Sequence, residues 1–200
     1  MSAVLGLDEA ELLLVKHLGD TPRARHSRFV AAVMAGLAAL TGADPVLWRA
    51  VGLLHDIDYP TTKATPERHG PLAAEWLAGA LPADALLAIA AHDHRAGIRS
   101  ETPIADGLKL ADAIAVLDER AGRHPTLHAL RAGVDSLRKL AGERPWLAEM
   151  ILVHAARLHV KPEAVSALLD GLPEQGRYDV IAPRSGLYFS AVSSTRTSRR

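Results

Sequence analysis

The chain contains no cysteine. Disulfide frameworks, thiolate zinc sites, iron–sulfur ligation and cysteine nucleophiles are excluded with it, which leaves imidazole and carboxylate as the side chains able to hold a metal ion. Aromatic residues are scarce, 4% of 200 positions, a poor supply for strands, whereas alanine and leucine are abundant and favour packed helices. No uninterrupted apolar stretch approaches the ~20 residues of a membrane span. Met1 to Leu7 lacks a basic start, and the apolar run from Leu12 to Val15 is too short for the core of a signal peptide. These absences predict a soluble, cytoplasmic protein with no membrane contact.

A net charge is also lacking, since 23 basic residues match 23 acidic ones. The balance is uneven along the chain. Residues 184–200 hold Arg184, Arg196, Arg199 and Arg200 and no acid, so the remainder carries 19 basic against 23 acidic residues, a charge of −4. A mildly acidic body argues against a nucleic-acid polymer as partner. At 48% hydrophobic the chain can bury a substantial core, and its length fits one domain. That domain is expected over residues 1–170, followed by a serine-, threonine- and arginine-containing tail over 171–200 that is partly disordered.

Proline marks where helices begin. Thr21–Pro22, Asp44–Pro45, Thr102–Pro103 and Lys161–Pro162 each place proline where a first helical turn has no use for the missing N–H, three of them after a capping residue. Asp8 with Glu11 reads as a further start and Gly19 as a stop. The pattern predicts helices over 8–18, 22–41, 45–56, 71–80, 83–93, 103–121, 125–141, 144–159 and 162–170, an all-α bundle. In the second, Phe29, Val33, Leu37 and Leu40 form the apolar face, which leaves Arg23, Arg25 and Arg28 nearer the other one. Residues 57–70 and 94–102 read as loops, and Leu187 to Val192 as a short extended piece. Trp146, Leu147, Ile151 and Leu152 offer an apolar surface on which a homo-oligomer could form.

Ten histidines remain to be explained. His26, His55, His69 and His92, with Asp56 and Asp112, are spread over separate predicted helices, at spacings too long for a local finger-type motif, so a shared site would need ligands from several facing helices. Neighbouring residues His55 and Asp56 suit such a site, because one carboxylate can bridge two ions while an imidazole holds one. This donor set fits divalent iron, manganese, cobalt, nickel or zinc. His17, His124, His128, His154 and His159 read as surface or helix-packing residues.

His26, LLHDIDYP at 53–60, ERHG at 67–70, AAHDH at 90–94 and KLADAI at 109–114 together resemble the HD-domain metal-dependent phosphohydrolase superfamily, in particular its bacterial HDIG-type members, over roughly residues 10–120. The resemblance implies an HD-type helical bundle with extra helices towards the C-terminus. It implies that His26, His55, Asp56 and Asp112 hold one metal ion, where mononuclear members stop, and that His69 and His92 match the members with a second ion that shares Asp56, so one or two ions are expected. A metal-activated water would then hydrolyse a phosphate ester of a small metabolite or nucleotide. Asp56 and Asp58 are the catalytic candidates, Asp58 either protonating the leaving group or orienting a ligand histidine. His94, Arg95 and Lys109 are the candidates for binding the phosphorylated substrate.

Departures from the superfamily's patterns bear on the reaction. No GYP follows the HD doublet. Relatives with the same six ligands include mixed-valent di-iron oxygenases, which carry a tyrosine upstream of the first histidine, whereas Tyr59, Tyr178 and Tyr188 all follow His26. Hydrolase is therefore the first expectation, di-iron oxygenase the second, and a non-catalytic, metal-stabilised regulatory scaffold the third.

Overall fold

The computed structural model describes residues 5–175 and Tyr178. Among these residues the regular structure is helical and no strand occurs: α1 (Leu7–Leu18), α2 (Pro22–Thr41), α3 (Pro45–Leu54), α4 (Tyr59–Thr62), α5 (Pro71–Trp76), α6 (Ala83–Ala90), α7 (Pro103–Ala121), α8 (Arg123–Ala132), α9 (Val134–Ala141), α10 (Pro145–Arg157) and α11 (Pro162–Asp170). Short 3₁₀ turns at Pro66–Arg68 and His94–Ala96 interrupt the two loops.

Side-chain caps begin the helices that matter most to the site. Thr21 accepts from the Ala24 amide, Asp44 from those of Val46 and Leu47, and Thr102 from that of Ala105, with proline next in each case. The long helices α2 and α7 run through the core and pack on each other, α3 lies against α2, and α6 and α10 lie against α7. Glycine permits the closest approach. A Cβ at Gly52 would lie 2.6 Å from Ala31 Cα, so a side chain there would push α3 off α2. Phe29, Met34, Leu37, Leu54, Leu108 and Ile114 are fully buried between these helices, each contributing about 1.5–3 kcal/mol through removal from water.

Several predicted boundaries are corrected. The single helix expected over 125–141 is two, α8 and α9, because Gly133 adopts φ +96°, a left-handed conformation that no helix interior accepts. The helix expected over 45–56 ends at Leu54, and those over 71–80 and 83–93 end at Trp76 and Ala90. His55, Asp56 and His92 therefore sit just past helix ends, where the backbone is free to turn. Arg28 is not on an outer face: it is buried, with Nε 2.7 Å from Glu11 Oε1. Leu147 and Ile151 are buried in the core, which leaves Trp146 and Val153 as the exposed large apolar residues of α10.

Beyond α11 the chain folds back over α2 and α7. Arg123 donates to the carbonyls of Leu169, Leu172 and Pro173, the Gln175 amide donates to the Ala115 carbonyl, and the Tyr178 ring packs edge-on against Phe29. The rest of the expected tail, including Leu187 to Val192, lies outside the described residues. No helix among the described residues is long and apolar enough to cross a membrane.

Candidate metal centre

Four histidines from four parts of the chain meet in one buried cluster. His26 comes from the second turn of α2, His55 from the end of α3, His69 from the loop before α5, and His92 from just past α6. Each ring is held from outside by an acceptor on Nδ1. The partner is Glu119 Oε1 at 2.9 Å for His26, the Gly52 carbonyl at 2.8 Å for His55, Asp58 Oδ1 at 2.8 Å for His69 and the Ile89 carbonyl at 2.7 Å for His92. With a proton on Nδ1, each ring can present Nε2 inward as a lone pair.

The inward nitrogens divide between the two oxygens of Asp56. Oδ1 lies 3.0 Å from His69 Nε2 and 3.5 Å from His92 Nε2. Oδ2 lies 3.4 Å from His55 Nε2 and 4.0 Å from His26 Nε2. Asp112, from the middle of α7, adds a carboxylate oxygen 3.0 Å from His26 Nε2. Among the described residues two triads, His26–His55–Asp112 and His55–Asp56–His92, have ligand atoms within 4.8 Å of one another.

Tight loops hold this geometry. Asp58 is fully buried, and its second oxygen accepts from the amides of Gly70 at 2.7 Å and Ala73 at 3.1 Å, tying His69 to the start of α5. Gly70 has φ +88°, and a Cβ there would stand 2.6 Å from the Ile89 carbonyl oxygen and 3.1 Å from His92 Nδ1. A glycine is required where the His69 loop meets the end of α6.

Burial and charge pull the site's titrations apart. Burial would raise the Asp56 pKa, but His55, hydrogen bonds from His69 and His92, and Arg23 together hold the carboxyl well below its ordinary value. Burial depresses His55 to about 4, so that ring is neutral near pH 7. For His26 and His69 burial acts downward too, yet hydrogen bonds to Asp112 and Glu119 in the first case, and to Asp56 and Asp58 in the second, push each up to about 10.

A bound cation fits this arrangement. His55 Nε2 is buried and has no hydrogen-bond partner among the described residues, and its ring cannot turn to find one without breaking the Gly52 bond. A buried lone pair facing carboxylate oxygens and other imidazoles is costly without a cation to coordinate. Nitrogen and oxygen donors of this kind suit a divalent transition metal.

Residues 23–117 match the family model for the HD domain. That segment, just under half of the chain, is an HD domain. No curated protein and no solved structure matched it. HD domains bind divalent metals, and the HD doublet here is His55–Asp56 at the centre of the cluster. Glu119, which holds His26, lies two residues past the end of the matched HD domain, and α8 to α11 lie wholly beyond it.

The structure brings His26, His55, Asp56, His69, His92 and Asp112 together, with Asp58 directly behind His69. The proposed substrate-binding residues are scattered. Arg95 lines a pocket beside His69 with Tyr59, Thr62, Lys63 and Pro66, its guanidinium gripped by Asp93. His94, at the tip of the same loop, points into solvent with 92% of its side chain exposed. Lys109 has Asp106, Arg157 and Glu101 as charged neighbours rather than the carboxylates of the cluster.

Sequence reasoning missed Arg23 and Glu119. Arg23 Nη1 donates to Asp56 Oδ2 at 2.9 Å, and its guanidinium carbon sits 4.1 Å from the centroid of the Tyr59 ring. Its position three residues before His26, one helical turn away on the same side of α2, was the available signal. Glu119 stands seven residues after Asp112, two turns further along the face of α7 that meets His26.

Proposed function

We propose that this chain is a metal-dependent hydrolase acting on a phosphate ester of a small metabolite or nucleotide, in which His26, His55, Asp56, His69, His92 and Asp112 would hold one or two divalent ions. The division of the imidazoles between the Asp56 oxygens, His26 and His55 at Oδ2 and His69 and His92 at Oδ1, is the observation that supports it most. Asp112 would complete the Oδ2 side. When bound, a divalent ion polarises a phosphoryl oxygen and acidifies coordinated water.

The chain's own residues supply the remainder. Glu119, Asp58 and the carbonyls of Gly52 and Ile89 fix the ring orientations. Asp58 acts by orienting His69, since both its oxygens are occupied by buried donors. Arg95 and Arg23 stand on the approach to the cluster and match the negative charge of a phosphoryl group. Hydrolysis forms a P–O bond from water and breaks the ester P–O bond, and the departing oxygen takes up a proton given up by the attacking water.

The test reconstitutes the purified full-length chain with manganese, cobalt, nickel, zinc or ferrous iron and follows phosphate release from monoester and diester panels without oxygen. Release that requires metal and disappears in Asp56→Ala is the expected result. No release with any metal overturns the reading. Oxygen uptake by the iron form alone, on a polyol or organophosphonate, would assign the chain to the oxygenases instead.

A further inference from the structure

With the reacting phosphoryl group at the imidazole and carboxylate cluster, the rest of the substrate needs a place. A pocket of about 310 Å³ adjoins the cluster through His69, which both lines it and approaches Asp56. That volume is at the small end of ligand sites, a match for a compact metabolite. Among the described residues no carboxylate lines it. Two cations near it already have counter-charges: Arg95 is held by Asp93, and Arg23 by Asp56. Lys63 is in a different position. Its ammonium stands 5.6 Å from the centroid of the Tyr59 ring, and it takes part in no ion pair among the described residues. Tyr59 in turn packs edge-on against His69, ring centroids 5.6 Å apart, so the ring of Tyr59 spaces the Lys63 ammonium away from the cluster.

We propose that the substrate carries a second anionic group, separate from the reacting phosphoryl, and that Lys63 on the Tyr59 ring receives it beside Arg95. The proposal rests on the hydrolase reading for the place of the reacting group. Lys63 is exposed, so an uncharged group in this pocket leaves its ammonium to water, whereas a carboxylate or phosphate gives it a charge-assisted hydrogen bond.

Phenylphosphonate, 4-phosphonobenzoate and 1,4-benzenediphosphonate have no ester to hydrolyse and differ only in the second group. Each is titrated calorimetrically into the metal-loaded full-length protein. The two doubly substituted ligands are expected to bind about tenfold more tightly than phenylphosphonate, the effect of one added hydrogen bond between charged groups. The larger gain of the two names carboxylate or phosphate as the second group. Lys63→Met removes the gain and leaves phenylphosphonate binding unchanged, while Lys63→Arg keeps it. Equal affinities for all three ligands, or an equal loss of all three in Lys63→Met, overturns the proposal. Phosphate release from esters together with equal affinities defeats the second-anion inference alone, and a retained gain with no ester turned over defeats the hydrolase reading alone.

Discussion

Asp56 takes part in more polar contacts of the site than any other side chain described here. In the ion-free protein its carboxylate faces His26, His55, His69, His92 and Arg23, so truncating it leaves buried positive groups without a counter-charge. Asp56→Ala should therefore lower unfolding free energy by about 3–5 kcal/mol even in chelator-treated protein, as read from urea melts. An unchanged midpoint would contradict the packing described. Asp58 acts at one remove. Asp58→Asn sets an amide against one of three donors, from His69, Gly70 and Ala73, and metal affinity should fall about 10–100-fold with the fold retained, measured by competition with a chromophoric chelator. The side chains pointing inward were legible in the sequence because histidine and aspartate at helix ends and on helix faces are conspicuous in a cysteine-free chain. What holds them was less so: two of the four Nδ1 partners are backbone carbonyls, and a carbonyl carries no residue-type signal.

At the scale of elements, caps and glycines set where the ligands stand. Thr102 starts α7, the helix that carries Asp112 and Glu119, and Thr102→Ala should cost about 1 kcal/mol, seen as a lower melting temperature with metal affinity nearly unchanged. Gly70→Ala should act in the opposite manner. The left-handed backbone and the 2.6 Å approach to the Ile89 carbonyl force the His69 loop away from α6, so metal binding should weaken well before global stability does; equal metal affinity in this variant would refute that role. Helix starts were legible because proline and its preceding cap act locally. Helix ends were legible at Leu18, Thr41, Ala121 and Asp170, where a glycine follows directly, and less so elsewhere. The end of α3 at Leu54 and the break between α8 and α9 depend on the tertiary arrangement, and Gly133 inside an otherwise helical pattern gives no indication of its φ. The face of α2 was misread for a related reason. Arginine is scored as polar wherever it falls, yet Arg28 is buried because Glu11 of α1 meets it there.

For the whole molecule, the site links stability to pH. In metal-free protein His26 and His69 titrate near 10, above the ~6.5 of an unfolded histidine, so their contribution is complete below that value and is lost as pH rises from about 6.5 to about 10. His55, held near 4, acts in reverse: its contribution is present above ~6.5 and is lost as pH falls towards 4. Chelator-treated protein should thus be most stable near neutrality and melt progressively earlier towards pH 10. Saturating metal should remove the alkaline decline, because ligand imidazoles are already deprotonated, and should add about 2.7 kcal/mol at a free concentration a hundredfold above Kd. A melting temperature flat from pH 7 to 10 without metal would refute the linkage. The outer supports of the four imidazoles also divide the site by how it can change over generations. Those of His55 and His92 are main-chain oxygens, which no point substitution alters, whereas those of His26 and His69 are the carboxylates of Glu119 and Asp58. Drift in metal preference among descendants of this chain would accordingly be recorded at positions 119 and 58, while the inward-facing residues stay the same.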